Sequence, residues 1–263
     1  MKYLKLLIFV LISSFSKAQP AKNVLHNIIE AVSEHRLNKD IKTLADFGTR
    51  HTLSDTLSNT RGIGAARRWI KSEFETISKK CNNCLEIFYQ KTLVKSGENN
   101  RITKDVWVVN VVAIQRGTKH PNRYIIMSGD IDSRVSDPNN SISDSPGAND
   151  NASGTTAVTE VMKYFAQKKN NKRSLLFVFF SAEEKGLLGS KHLAKKLKDQ
   201  NMDLYFMFNF EMIGVKMNRD DMLLYLTGFG RSNMAQKMND YAGEKLIGYI
   251  PVETQYQLFR ASD

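Results

Sequence analysis

Apolar residues along the chain recur at two different spacings, which predicts helices that alternate with strands. Steps of three and four residues predict helices over 24–32, 60–78, 153–165, 189–198 and 232–245, with a short helix or turn over 41–47. Runs of apolar and β-branched residues predict strands over 85–94, 105–116, 123–128, 175–180, 204–210 and 222–227. This alternation is typical of an α/β protein, so we expect a mixed, mostly parallel β-sheet sandwiched between helices.

The first residues have the pattern of an export signal. Two lysines precede an apolar run over 6–15, and small residues stand at positions 16 and 18, where a signal peptidase reads them. The run is shorter than the roughly 20 residues that a membrane-spanning helix needs. We therefore predict a signal peptide over 1–18 and a periplasmic or secreted protein with no stable membrane insertion after cleavage.

Composition adds two expectations. The chain carries a net charge of +11, which falls to +8 when the three lysines of the predicted signal are removed. Much of this charge lies in helix-like stretches such as 163–172 and 191–198, which favours solvated helix faces over a nucleic-acid partner. Cys81 and Cys84 predict a local disulfide in an oxidising compartment. The alternative, a thioredoxin-like redox pair, is less favoured because such a pair normally opens a helix and this one follows a helix.

Acidic residues follow the predicted strands at four places. They lie in 128–133 (SGDIDS), 147–154 (GANDNASG) and 181–186 (SAEEKG), and at Glu211. Charged groups are rarely buried unless they are paired or bound to a cation. The carboxyl ends of strands in an open α/β sheet are also where ligands bind. Together the four clusters predict a divalent-metal site, although each alone would be read as an exposed turn or a helix cap.

The acids suit different roles at such a site. A pair of cations that shares a bridging carboxylate polarises a carbonyl and activates water, and a separate acid must carry the proton. Asp150, in a Gly- and Asn-rich turn before a helix, suits the bridge. Glu183 and Glu184 are adjacent, so their side chains point in different directions. One of them can bind metal while the other faces the reacting water.

The same motifs resemble those of the M28 family of zinc aminopeptidases. The resemblance rests on 129–133 (GDIDS), 147–154 (GANDNASG), 183–190 (EEKGLLGS) and 209–214 (NFEMIG), with similar upstream segments at 48–51 and 60–62. It implies a zinc-exopeptidase-like three-layer α/β/α fold. It also implies that Asp150 bridges two zinc ions, that Glu184 is a ligand and that Glu183 is the general base.

Three positions depart from the family pattern. Asp130 stands where the family has its first His ligand, which Asp132 would normally orient, and Glu211 stands where the family has Asp. The family's last His follows a Ser-Asp pair, and this chain ends at such a pair. We therefore expect 19–263 to be a single M28-like peptidase domain that is C-terminally incomplete. An all-carboxylate ligand set is compatible with Mn or Mg as well as Zn.

The site residues that we predict from these observations fall into two groups. The metal ligands, for one or two divalent ions, are Asp130, Asp150, Glu184 and Glu211. The catalytic residues are Glu183 and Asp132. Among the histidines, His51 is a candidate to line the cleft, and surface positions are expected for the others.

The function predicted from the sequence is that of an exported metal-dependent exopeptidase of the aminopeptidase type. It would hydrolyse N-terminal residues of peptides through a metal-activated water. Two alternatives stay open: a glutaminyl-cyclase-like acyltransferase on the same fold, and a non-catalytic binding protein with a degenerate metal site. The sequence predicts neither the preferred residue of the substrate nor the oligomeric state.

Overall fold

The structure, a computed structural model, describes residues 20–251 and 255–263, so the predicted signal peptide lies outside the described residues. The chain divides into two compact units. The larger comprises Ser33–Met217 and Pro251–Asp263, and the smaller comprises Asn218–Ile250 with the described residues up to Val32. That the two units form a single domain stays a prediction.

Six helices and seven strands make up the regular structure of the described residues. The helices are α1 (Pro20–Ala31), α2 (Glu34–Asp46), α3 (Gly62–Lys80), α4 (Gly154–Lys168), α5 (Leu188–Asp199) and α6 (Met234–Ala242). The strands are β1 (Leu85–Val94), β2 (Val106–Gln115), β3 (His120–Asp130), β4 (Arg173–Phe180), β5 (Asp203–Asn209), β6 (Leu224–Tyr225) and β7 (Ile247–Gly248).

The main sheet has the strand order β1-β2-β4-β3-β5. β2 is antiparallel to both β1 and β4, whereas β3 is parallel to β4 and to β5. Four of the five strands therefore run in one direction, and only β2 is reversed. The expectation of a mixed, mostly parallel sheet is confirmed.

Alternate residues of the central strands pack on opposite faces of the sheet. Phe177 and Phe179 of β4 lie in a core with α2, α3 and α4, and Phe179 meets Phe74 of α3 edge-to-face at 5.1 Å between ring centroids. Val178 and Phe180 face a second core that includes Leu193 of α5. Every residue of β4 after the first is buried, as a strand covered on both faces requires. Helices on both faces give the expected three layers within the larger unit.

Most element bounds lie within a few residues of the prediction, with two larger differences. The short helix or turn over 41–47 is part of a 13-residue helix, α2, because Ser33 caps its N-terminus by accepting a hydrogen bond from Arg36 N at 3.3 Å. The strand predicted over 222–227 is limited to the two residues of β6, which pair with β7. This pair belongs to the smaller unit, where α6 ends at Gly243 in a left-handed conformation (φ 76°).

A disulfide joins Cys81, just after α3, to Cys84, just before β1. The predicted local disulfide is therefore confirmed. Among the described residues, no helix is long and apolar enough to cross a membrane.

Candidate metal centre

Two acidic clusters meet because β3 and β4 are parallel neighbours. Asp130, the last residue of β3, pairs with Phe180, the last residue of β4. Glu183 and Glu184 follow Phe180 after the buried Ala182, which takes a left-handed conformation (φ 63°) and turns the chain sharply. The carboxyl ends of the two strands thus place Asp130 and the Glu pair at the same edge of the sheet.

Asp130 is fully buried, and only one of its two carboxylate oxygens has a hydrogen-bond partner. Its Oδ1 accepts a hydrogen bond from Asn151 Nδ2 at 2.6 Å, while its buried Oδ2 has no hydrogen-bond partner. Burial raises the pKa of Asp130 well above its usual value, and the negative charges of Glu211 and Asp132 add to the effect. A buried carboxylate oxygen without a donor is costly unless a cation occupies it.

Asn151 ties the turn that follows Asp150 to two other segments. Besides contacting Asp130, its Nδ2 donates to Phe210 O at 2.8 Å, and its Oδ1 accepts from Met212 N at 3.2 Å. The same amide therefore fixes the end of β3, the turn at 148–153 and the segment that carries Glu211.

Asp132 is buried and holds the backbone of the Glu pair. Its Oδ1 accepts from Glu183 N at 3.0 Å and its Oδ2 from Glu184 N at 3.3 Å and from Thr52 Oγ1 at 2.8 Å. Burial raises the pKa of Asp132, although these hydrogen bonds favour the ionised form and oppose the rise. Where the sequence suggested an orienting partner for a metal ligand, the structure shows a residue that orients Glu183 and Glu184.

The two glutamates have different surroundings. Burial, followed by the charges of Asp132, Asp263 and Glu211, raises the pKa of Glu183 to about 10. Burial raises the pKa of Glu184 only to about 6, because Arg134 forms an ion pair with it. The division between a proton-carrying acid and a ligand, expected from the sequence, stays a prediction.

Asp150 lies in the short segment 148–153 ahead of α4, where its own backbone is not helical (φ −108°, ψ 98°), and the segment is preceded by Gly147 in a left-handed conformation (φ 52°). Its side chain is partly buried, and this burial raises its pKa, while the positive charges of Arg134 and Arg50 lower it. The role of Asp150 as a bridging ligand stays a prediction.

Glu211 lies two residues beyond β5 rather than within the strand. Its Oε2 accepts hydrogen bonds from Ser262 Oγ and from Asn209 Nδ2 (3.3 Å). Burial is the main cause of its raised pKa, which the Ser262 hydroxyl opposes. The contact with Ser262 brings the last residues of the chain to the cluster.

Asp263 is the residue that the sequence analysis did not assign to the site. Both of its carboxylate oxygens are buried and make no hydrogen bond of ordinary geometry. Burial raises the pKa of Asp263 to about 7, although the Ser190 hydroxyl lies close enough to lower it. The Ser-Asp pair at the end of the matching motif was the available signal, but its position beside Glu211 depends on the fold.

Arg50 is a second residue that the prediction missed. Its guanidinium is fully buried and donates to the carbonyl oxygens of Ile131 (2.8 Å), Leu44 (2.9 Å), Pro146 (2.6 Å) and Gly147 (2.9 Å). Arg50 thus ties both ends of the 131–147 loop to α2. The segment 48–51 was noted for its similarity to the family, but neither the similarity nor the spacing assigns a role to Arg50.

The candidate histidine has a structural role. His51 is buried, its Nδ1 accepts from Leu53 N at 3.0 Å, and its Nε2 lies 3.0 Å from Pro138 O. Because both ring nitrogens are engaged by backbone groups, His51 holds the 131–147 loop instead of presenting a free nitrogen. His35 and His120 are exposed, as expected.

The donor chemistry fits a divalent cation, but the ligand shell is not preformed. Over residues 20–251 and 255–263, no three His, Cys, Asp or Glu side chains are arranged to share one ion as they stand. The unpartnered oxygens of Asp130 and Asp263 nevertheless lie in a group of mutually repelling carboxylates. Such a group is stabilised by a cation and destabilised without one.

Comparison with known proteins shows which family the chain belongs to. The model described as peptidase family M28 matches residues 110–260, more than half of the chain. The chain belongs to peptidase family M28. A probable zinc metalloprotease of Pyrenophora teres f. teres is 37% identical over 190 residues, which are 72% of this chain and 41% of that protein. The chain therefore spans about two fifths of the length of this relative.

Solved structures share the fold at low sequence identity. The LapA aminopeptidase of Legionella pneumophila superimposes with a TM-score of 0.66 at 21% identity, over 89% of this chain and 57% of that chain. The glutaminyl cyclase of Porphyromonas gingivalis does so with a TM-score of 0.63 at 15% identity, over 83% and 75%. The expected zinc-exopeptidase-like fold of this M28 chain is confirmed.

Proposed function

We propose that this M28 chain acts as an exported zinc-dependent exopeptidase of the aminopeptidase type, which removes N-terminal residues from peptides. The observation that carries the proposal is the unpartnered, fully buried Oδ2 of Asp130 inside a group of carboxylates. Several acids that lie together at buried strand ends repel one another, and this repulsion destabilises the folded protein when no cation is bound. A bound cation removes that cost.

Asp130, Asp150, Glu184 and Glu211 are the residues that would hold zinc. All four supply carboxylate oxygens, which bind zinc and also suit Mn or Mg. The chemistry that the ion supplies when bound is Lewis-acid polarisation of the scissile carbonyl and a lowered pKa of water.

Glu183 is the proposed proton carrier. It would take a proton from the attacking water and pass it to the amine that leaves. The metal-free protein holds the pKa of Glu183 at about 10, and a cation close to it favours the ionised form that accepts a proton. Asp132 supports this role by accepting a hydrogen bond from the backbone N–H of Glu183, which fixes the backbone that carries the proposed proton carrier.

Two observations support export. The pattern of residues 1–18 is that of a signal peptide. The Cys81–Cys84 disulfide is the state expected of a protein in an oxidising compartment.

The test combines metal content with cleavage by the full chain. We expect near-stoichiometric zinc by mass spectrometry and hydrolysis of aminoacyl amides that have a free N-terminus, but not of N-acetylated ones. Glu183→Gln should lower kcat by roughly 10²–10⁴ while zinc content and melting temperature stay unchanged. Glu244→Gln, at an exposed position in the smaller unit, is the matched control. A chain that binds zinc but cleaves no substrate would be a binding protein.

A glutaminyl-cyclase-like acyl transfer is the second candidate, favoured by the structural likeness to the Porphyromonas gingivalis enzyme. Peptides with N-terminal glutamine separate the two activities. Release of free glutamine supports the aminopeptidase. Release of ammonia with a cyclised, blocked N-terminus supports the cyclase.

A further inference from the structure

The last turns of three helices are basic. Lys79 and Lys80 end α3, Lys168 ends α4, and Lys196 and Lys198 lie in the last turn of α5. Short loops lead from these helices into β1, β4 and β5, which run in the same direction. The five lysines therefore lie at the end of the main sheet where its parallel strands begin. Each of them also interacts favourably with the dipole of its own helix.

Two neighbouring loops add lysines that the helix dipoles do not account for. The backbone N–H groups of Lys119 and His120 both donate to the carbonyl oxygen of Lys172, at 3.1 and 2.8 Å. These bonds hold the loop before β3 against the loop before β4. Lys119 and Lys172 are exposed, as is Lys169. We call this surface the basic end, and its lysines are Lys79, Lys80, Lys119, Lys168, Lys169, Lys172, Lys196 and Lys198.

Two arginines at the basic end stack on an exposed tyrosine. The guanidinium carbon of Arg173, the first residue of β4, lies 4.2 Å from the ring centroid of Tyr205, and that of Arg123 lies 5.6 Å from it. Tyr205 remains 53% exposed, and its neighbour Leu204 is 41% exposed. An amphipathic ring and an apolar side chain thus reach the surface beside the positive charges.

Little negative charge is left over to neutralise these lysines. Three acids in the same segments are each paired with another cation: Glu86 with Arg116, Asp199 with Lys195 and Asp203 with Arg123. In the part of the chain that the structure describes, the eight lysines of the basic end form no ion pair. The surface is therefore strongly positive.

The lysines of the basic end are spread over an area. α3 and α4 pack on one face of the sheet and α5 packs on the other, while the two loops lie between them. A linear polyanion is matched by cations that follow a groove. A layer of anionic lipid headgroups instead presents negative charge over a plane. The arrangement of the lysines favours the lipid layer.

The basic end and the candidate metal centre lie at opposite ends of the same strands. β3 begins at His120, in the basic end, and ends at Asp130, in the group of acids. Eleven residues of strand separate the two by about 30 Å. A surface bound at the basic end would therefore leave the metal centre facing solution.

We propose that the basic end binds a membrane surface that is rich in anionic phospholipids, with Leu204 and Tyr205 at the level of the headgroups. The negative potential of such a surface attracts lysines and arginines within a Debye length. The contact is peripheral and needs no inserted helix. It would hold the enzyme at a membrane while soluble peptides reach the metal centre from the other side.

Sedimentation with vesicles tests the proposal on the purified protein, from which the predicted signal peptide has been removed. We expect binding to vesicles of phosphatidylcholine with about one third phosphatidylglycerol, and none to phosphatidylcholine alone. Because the attraction is electrostatic, salt at about 1 M should release the protein. The double variant Lys119→Gln with Lys172→Gln should bind about 25-fold more weakly, since each charge near an anionic surface contributes a factor of about five. Circular dichroism and melting temperature establish that the variant is folded.

Lys91→Gln combined with Lys104→Gln is the matched control. Both residues are exposed and the change in charge is the same, but Lys91 lies within β1 and Lys104 lies just before β2, at the other end of the sheet. This variant should bind the anionic vesicles as the natural chain does. An equal loss in the two double variants would show a general effect of net charge and overturn the assignment of the basic end.

Two further outcomes contradict the proposal. Equal binding to neutral and anionic vesicles would show that the lysines do not drive the contact. Retention on dextran sulfate without binding to anionic vesicles would assign the basic end to a linear polyanion. None of these measurements depends on zinc or on peptide cleavage, so the proposed function is tested separately.

Discussion

A hydrogen bond of 3.0 Å runs from the backbone N–H of Glu183 to Oδ1 of Asp132, across 51 positions of the sequence. It joins the segment after β3 to the segment after β4 at the point where the two acidic clusters meet. The carboxylate of Asp132 is buried, so the bond is protected from competition by water. The orientation of the proposed proton carrier therefore depends on a residue that precedes it by two elements of secondary structure.

Asp132→Ala should destabilise the protein and reduce activity together. The change leaves three buried or partly buried donors without their acceptor, namely the amides of Glu183 and Glu184 and the hydroxyl of Thr52. Each unsatisfied buried donor costs about 1–3 kcal/mol, so we expect the free energy of unfolding, measured in urea, to fall by at least that amount. Thr52→Val removes only one of the three bonds and should cost less and keep most of the activity. Equal stability of the two variants would contradict the role of Asp132.

Arg50→Lys should destabilise the larger unit by on the order of 3 kcal/mol, because breaking a buried charged network leaves acceptors unpaired. Lysine offers one ammonium group and cannot reach the four carbonyl oxygens that the guanidinium contacts.

The matched control for Arg50 is Arg68→Lys. Arg68 is exposed and also donates to backbone carbonyls, those of Thr56, Leu57 and Ser58. A surface change of this kind is expected to alter the free energy of unfolding by no more than about 0.5 kcal/mol. Denaturant unfolding measures both, and similar losses at the two positions would show that burial of Arg50 is unimportant.

The metal-free protein should lose stability as the pH rises from about 5 to 9. The folded-state pKa values of Glu184 (about 6), Asp263 (about 7) and Glu183 (about 10) all lie above the ordinary values of 4.5 for Glu and 3.8 for Asp. A raised folded-state pKa means that the folded chain binds protons more tightly than the unfolded chain. Each of these groups contributes its full stabilisation of the folded state below its ordinary pKa, and this stabilisation is lost as the pH rises through the folded-state pKa.

Urea unfolding in a chelator at pH 5, 7 and 9 measures this dependence. The double variant with Glu183→Gln and Asp263→Asn should show a shallower decline, because two of the groups no longer titrate. A natural chain whose free energy of unfolding increases from pH 5 to pH 9 in the chelator would contradict the raised pKa values.

Zinc should stabilise the protein, most strongly at the higher pH. A ligand that binds only the folded state adds about 2.7 kcal/mol at 100 times its dissociation constant, and here it also relieves the repulsion among ionised acids. Melting temperatures with zinc and with a chelator, at pH 5 and pH 8, give the comparison. In an Asp130→Asn variant, zinc should raise the melting temperature much less, because the variant changes the carboxylate whose Oδ2 has no hydrogen-bond partner. If zinc raised the melting temperature of that variant as much as that of the natural chain, the ion would bind at another place.

The sequence was sufficient for most of the elements and for the acids of the site other than Asp263. The continuous apolar run of β4 and the three- and four-residue spacing of α3 and α4 are local signals, and their bounds differ from the prediction by few residues. The positions of Asp130, Glu183 and Glu184 at strand ends follow from the same local pattern. The length of α2 was underestimated because its start depends on the Ser33 cap rather than on apolar spacing.

The sequence by itself therefore determined the alternation of strands and helices, the family and the residue types of the candidate site. Only the tertiary structure decided what each acid touches. The ion pair of Arg134 with Glu184, the buried contacts of Arg50 with the 131–147 loop and the arrival of Asp263 beside Glu211 join residues that are about 50 or more positions apart. Apolar periodicity is a property of residues that are close in the sequence. Burial, hydrogen bonding and electrostatic environment arise only when distant segments pack together.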